Sequence, residues 1–144
     1  MVFDKAYVIN VKRNIERFTR VESDFKKIFP NIEIERVDAI DRESLTEDFL
    51  NKIGVTPSPK WLEPWGSRTF TKGDIACALS HVKAWEKILI DKVEVALLLE
   101  DDVIFKDDFL EGCDKIESEI GRNFEYVYLA RNPVDSSREQ SYSK

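Results

Sequence analysis

Val95-Ala96-Leu97-Leu98-Leu99-Glu100-Asp101-Asp102 carries the reading of the fold. Five apolar residues in a row, with no alternation, fit a strand buried on both faces, as in a parallel sheet. Such strands open at their carboxyl ends into the crevice where α/β sheets bind ligands. Three carboxylates at that point repel one another and favour a neutralising cation. Hard oxygen donors suit Mg²⁺ or Mn²⁺, the usual companions of phosphate-bearing substrates. The alternative is a solvated acidic turn ahead of a helix.

Working outward, Ala6 to Val11 reads as a first strand, and Ile15, Phe18, Val21, Phe25 and Ile28 repeat at helical steps after it. Phe29-Pro30-Asn31 closes that helix, and Ile32, Ile34 and Val37 suggest a second strand ending near Asp38. Ser44-Leu45-Thr46-Glu47 matches a capping box, with Gly54 as a stop for a short helix over 45–53. A long ordered loop over 55–70 is expected, its Trp61 and Trp65 either stacking on a sugar ring or capping the core. Thr71-x-x-Asp74 opens the strongest helix, with Ile75, Leu79, Val82, Trp85 and Leu89 on one side. After the acidic triplet the pattern predicts a helix over 108–120 stopped by Gly121, then a last strand over Tyr126 to Leu129.

Alternating strands and helices predict a single α/β domain over 1–131 with a mostly parallel, Rossmann-like sheet, followed by a polar tail over 132–144 expected to be mobile. The first turn lacks G-x-G-x-x-G, so no dinucleotide cofactor is indicated. A net charge of −6 without a basic stripe argues against nucleic acid. Cys77 and Cys113, outside any C-x-x-C pair, argue against a disulfide framework or a zinc cluster, and Cys77 reads as a buried thiol in an apolar helix. With no signal peptide and no transmembrane segment visible, a soluble cytoplasmic chain is expected.

Several side chains could carry chemistry. Asn10 closes the first strand, and Arg13 and Arg17, four apart at the start of the helix, would share a face and grip a phosphate. The alternative is an ordinary solvated helix face. Asp38 and Asp41 follow the second strand, where an acid can accept ribose hydrogen bonds or simply form an acidic turn. His81, the only histidine, lies four residues from Cys77 and from Trp85; a structural hydrogen-bonded role competes with that of base or ligand. Ser80 beside it belongs to no Ser-His-Asp arrangement.

Four segments in this order resemble glycosyltransferase family 25, the lipopolysaccharide-biosynthesis and procollagen galactosyltransferase type. They are Tyr7-Val8-Ile9-Asn10-Val11 with Arg13 and Arg17, Val37-Asp38-Ala39-Ile40-Asp41, Gly73-Asp74-Ile75-Ala76-Cys77-Ala78-Leu79-Ser80-His81, and Leu99-Glu100-Asp101-Asp102-Val103. The resemblance implies a GT-A nucleotide-sugar-binding fold with a DxD-like site. In it Asp102, with Glu100, would hold Mn²⁺ or Mg²⁺. Asn10, Arg13, Arg17, Asp38, Ser80, His81, Glu100 and Asp101 would line the nucleotide sugar. The implied reaction moves galactose or glucose from a UDP-sugar to a saccharide or hydroxyl acceptor. Only 42 residues follow Asp102, so much of an acceptor half is expected to be missing, and no residue offers itself as the base. A non-catalytic nucleotide-sugar or partner-binding module on the same fold is the alternative. A receiver-like signalling domain, the other home of Leu-Leu-Leu-Glu-Asp-Asp, fails because two strand–helix units precede the triplet.

Overall fold

β1 (Lys5–Asn10) is the middle strand of a three-stranded sheet and, after Lys5, is buried at every position. β2 (Glu33–Asp38) and β3 (Ala96–Glu100) flank it, both parallel to it, in the order β2-β1-β3. The computed structural model describes residues 2–55, 60 and 69–129. Among the described residues four α-helices accompany the sheet: α1 (Ile15–Ile28), α2 (Glu47–Lys52), α3 (Lys72–Asp91) and α4 (Phe109–Ile120). A three-stranded parallel sheet with helices between its strands fits a Rossmann-like α/β fold.

Alternate residues of β1 face opposite layers. Ala6 and Val8 join Leu97, Leu99, Val21 and Phe25 of α1, and Cys113 of α4 in one core. Phe3, Phe25, Phe29, Phe105 and Phe109 pack ring to ring through it, with centroids 5.1–6.3 Å apart. Tyr7 and Ile9 face the other way, packing with Val37 and Ala84 of α3. The sheet is therefore covered by α1 and α4 on one side and by α3 on the other.

Thr71 caps α3 through the reciprocal bonds with Asp74 that its spacing predicts, and Gly121 ends α4 at φ 62°, a backbone open to glycine. Four expectations are corrected. Thr46, not Ser44, caps the short helix by accepting from Phe49 N–H, because Ser44 already closes a 3-10 turn by donating to the Asp41 carbonyl. α3 turns Ala76, Ser80 and Ala84 toward the interior, whereas Val82, Trp85 and Leu89 stand exposed. Small residues let the helix backbone approach the sheet and the segment after β2, which the larger side chains would prevent. Tyr126–Leu129 forms no strand: Tyr126 and Tyr128 stack edge to face and are largely exposed. Cys77 is exposed too, since it lies off the buried stripe of α3.

A network of charges closes the α3 side of the sheet. Lys5 meets Glu33, Glu35 and Asp91, and Lys87 bonds Glu35 and Asp91. The buried Tyr7 hydroxyl donates to Asp91 at 2.7 Å. Lys87 and that hydroxyl hold the Asp91 carboxyl down to about 2. Trp61, Trp65 and the 132–144 tail lie outside the described residues. No helix among the described residues is long and apolar enough to cross a membrane.

Candidate functional site

Parallel pairing lines up the ends of all three strands. Asn10 sits opposite Asp38, and Ile9 opposite Glu100, so the acidic triplet emerges beside Asn10 at the carboxyl edge of the sheet. Asn10 is 1% exposed. Its amide nitrogen donates to the Asn14 carbonyl at 2.8 Å and to Asp101 Oδ2 at 2.7 Å. Its Oδ1 is buried with no partner among the described residues.

The three acids of the triplet part company. Asp101 turns toward α1, where it also meets Arg17 Nη1 at 3.2 Å. Arg20 adds a clamp, donating to the carbonyls of Asp101 and Val103 at 3.1 and 3.0 Å. The chain leaving β3 is thus pinned to the end of β1 by one amide and to α1 by two guanidiniums. Glu100 turns toward α3, its Oε1 3.2 Å from His81 Nε2. Asp102 is exposed. Among the described residues, no lysine or arginine pairs with Glu100 or Asp102.

Arg13 and Arg17 do not share a face. Lys12–Asn14 forms a 3-10 turn ahead of α1, so helical spacing does not govern Arg13, which pairs with Asp41 beyond β2. Asp41 in addition accepts from Glu43 N–H. Both guanidiniums stay about half exposed, 47% for Arg13 and 51% for Arg17. Asp38 is exposed, pairs with Arg36 at 2.5 Å, and its carbonyl accepts from Lys83.

Ser80 is buried and fully engaged: it donates to the Ala76 carbonyl at 2.6 Å and accepts from Ile40 N–H at 2.9 Å. That places Ser80 as a pin between α3 and the segment after β2, with its one proton already committed. Cys77 lies one turn before His81, and its Sγ, a His81 ring nitrogen and a Glu100 oxygen all lie within 4.8 Å of one another. Partial desolvation by its neighbours, and then the charges of Glu100, Asp74 and Asp102, push the thiol of the exposed Cys77 above its ordinary range.

Arg20 and Cys77 are the members that reading the sequence missed. Arg20 stands three residues after Arg17, a helical neighbour of it; Cys77 stands four before His81. Residues 3–142 match the family model described as glycosyltransferase family 25 (LPS biosynthesis protein). The chain belongs to glycosyltransferase family 25. Among similar proteins is a probable inactive glycosyltransferase 25 family member 3 of Rattus norvegicus, 30% identical over 142 residues, covering 96% of this chain and 24% of that protein. Procollagen galactosyltransferase 2 of Homo sapiens is 31% identical over 135 residues, 91% of this chain and 21% of that protein. A glycosyltransferase 25 family member of Drosophila melanogaster is 30% identical over 138 residues, 94% and 22% of the two chains. This family 25 chain therefore spans about a quarter of the length of the curated relatives it matches. No solved structure matches it.

Proposed function

We propose that this chain binds a UDP-sugar at the carboxyl edge of its sheet, as the donor-binding part of a GT-A type hexosyltransferase. The observation that carries the reading is the pair Glu100 and Asp102, two carboxylates at the ligand edge that no lysine or arginine among the described residues meets, Glu100 having only the His81 ring beside it. Hard oxygen donors left uncompensated fit Mn²⁺ or Mg²⁺. A cation held by Asp102 and Glu100 would supply neutralisation of charge on the departing diphosphate.

The protein's own groups divide the remaining tasks. Arg13 and Arg17, half exposed, offer N–H donors to phosphate oxygens, and each keeps its carboxylate partner as a brace. Asp101 positions rather than binds, because both its oxygens are engaged by Asn10 and Arg17. Asp38 accepts from ribose or base at the β2 end of the edge. Preorganised cationic donors at the leaving diphosphate stabilise the charge that develops there. The sugar moved is galactose or glucose, and the acceptor a saccharide or other hydroxyl.

A second reading, binding without turnover, is favoured by two observations. Relatives at similar identity include members named inactive as well as a galactosyltransferase. The chain also covers about a quarter of their length. Hydrolysis of UDP-galactose and UDP-glucose, or transfer to a simple saccharide, measured with Mn²⁺ present, separates the two. Turnover lost in Asp102→Ala supports the enzyme, whereas donor binding with no turnover supports the module.

A further inference from the structure

Cys77 and His81 are one helical turn apart on α3, so their side chains lie on the same side of the helix. β3 ends with Glu100 opposite them. The three donor atoms lie within 4.8 Å of one another, from two different elements. The His81 Nε2 to Glu100 Oε1 distance is 3.2 Å. Two N/O ligands on a tetrahedral zinc at bonds of about 2.0 Å stand about 3.3 Å apart. These two atoms, hydrogen-bonded to each other in the metal-free chain, already stand at about the separation such an ion requires, and the ion would take the place of that bond.

Donor chemistry then selects the ion. A thiolate is soft and an imidazole borderline, a set that favours zinc over the Mg²⁺ or Mn²⁺ suited to carboxylates alone. Cys77 is exposed and His81 partly so, which leaves an entry path from solvent. Glu100, which no lysine or arginine among the described residues meets, contributes a negative charge that an incoming cation would neutralise. We propose that Cys77, His81 and Glu100 form a three-ligand site for a zinc-class transition-metal ion, with its fourth position open to water or to a ligand at the sheet edge, Glu100 being the one ligand it would share with the cation proposed at Asp102. On binding, the Cys77 thiol gives its proton to solvent and its sulfur bonds the metal. Three protein ligands and one open position is the pattern of zinc sites that do chemistry rather than only hold a fold.

The site needs no sugar donor, so its test uses metal alone and its failure is separate from failure of UDP binding. Titration of the reduced full chain with Co²⁺, a coloured substitute for zinc, is expected to give one equivalent bound with sulfur-to-cobalt charge-transfer absorption, bleached by Zn²⁺. Cys77→Ser is expected to abolish that absorption, and His81→Gln to weaken affinity at least ~10-fold. Asp102→Asn and Cys113→Ser are expected to retain it. Circular dichroism confirms that each variant is folded. Absence of charge transfer at stoichiometric Co²⁺, its survival in Cys77→Ser, or its loss in Asp102→Asn or Cys113→Ser would each overturn the assignment.

Discussion

Asp101 and Asp102 are adjacent in sequence yet opposite in role, and replacing each by alanine separates them. Asp101→Ala removes the acceptor for the Asn10 amide, whose residue is 1% exposed. A buried donor left without a partner costs about 1–3 kcal/mol. The Arg17 pair adds at most about 1 kcal/mol, because that guanidinium is half in water. A total near 2–3 kcal/mol corresponds to a fall of roughly 5–12 °C in melting temperature for a chain of this size. Asp101→Asn keeps an oxygen for Asn10 and loses only the charge, so its deficit should be under about 1 kcal/mol. Asp102→Ala removes an exposed acid beside another acid and should leave melting unchanged or raise it slightly. Thermal and urea unfolding of the three variants measures this directly. Equal destabilisation by Asp101→Ala and Asp102→Ala, or a neutral Asp101→Ala, would refute the division of the triplet.

The Asp91 carboxyl, ordinarily near 3.8, is depressed to about 2 in the fold, so its contribution is complete above 3.8 and is lost as pH falls from there toward 2. Urea midpoints from pH 6 to pH 2, on the order of the range where carboxylates titrate, should fall less steeply in Lys87→Met than in the parent. The buried Cys113 thiol is pushed up to about 11 and shielded, whereas Cys77 is exposed. Alkylation of the native chain should therefore modify Cys77 alone, by peptide mass mapping, and Cys113 only after unfolding. Ala84→Leu drives a larger side chain against Tyr7 and Ile9 and should cost about 1–3 kcal/mol, while the exposed Leu89→Ser should change urea stability little.

Periodicity sufficed wherever the burying face was made of large apolar residues. Val21 and Phe25 of α1 and the run Ala96–Leu99 are recognisable because one residue type signals both the element and its buried side. α3 defeats that inference. Ala76, Ser80 and Ala84 recur at the same period as Trp85 and Leu89, so the pattern shows a helix but not which side packs. The edge residues Asn10, Asp38 and Glu100 were legible because each ends a predicted strand. Their partners were not. The Asn10–Asp101 bond joins residues 91 apart, and Arg13 meets Asp41 only because a 3-10 turn breaks the helical spacing. Ser80 likewise looks like a site residue until the Ile40 N–H that occupies its oxygen comes into view.

The acidic edge as a cradle for a cation and a sugar donor's diphosphate is tested most directly by calorimetry with UDP. Titrations with and without Mn²⁺ should show binding that depends on the metal in the parent chain. Asp102→Ala should lose that dependence while remaining folded, and Arg13→Ala should weaken UDP more than uridine. UDP binding equally well without a divalent ion, or undiminished in folded Asp102→Ala, would contradict it.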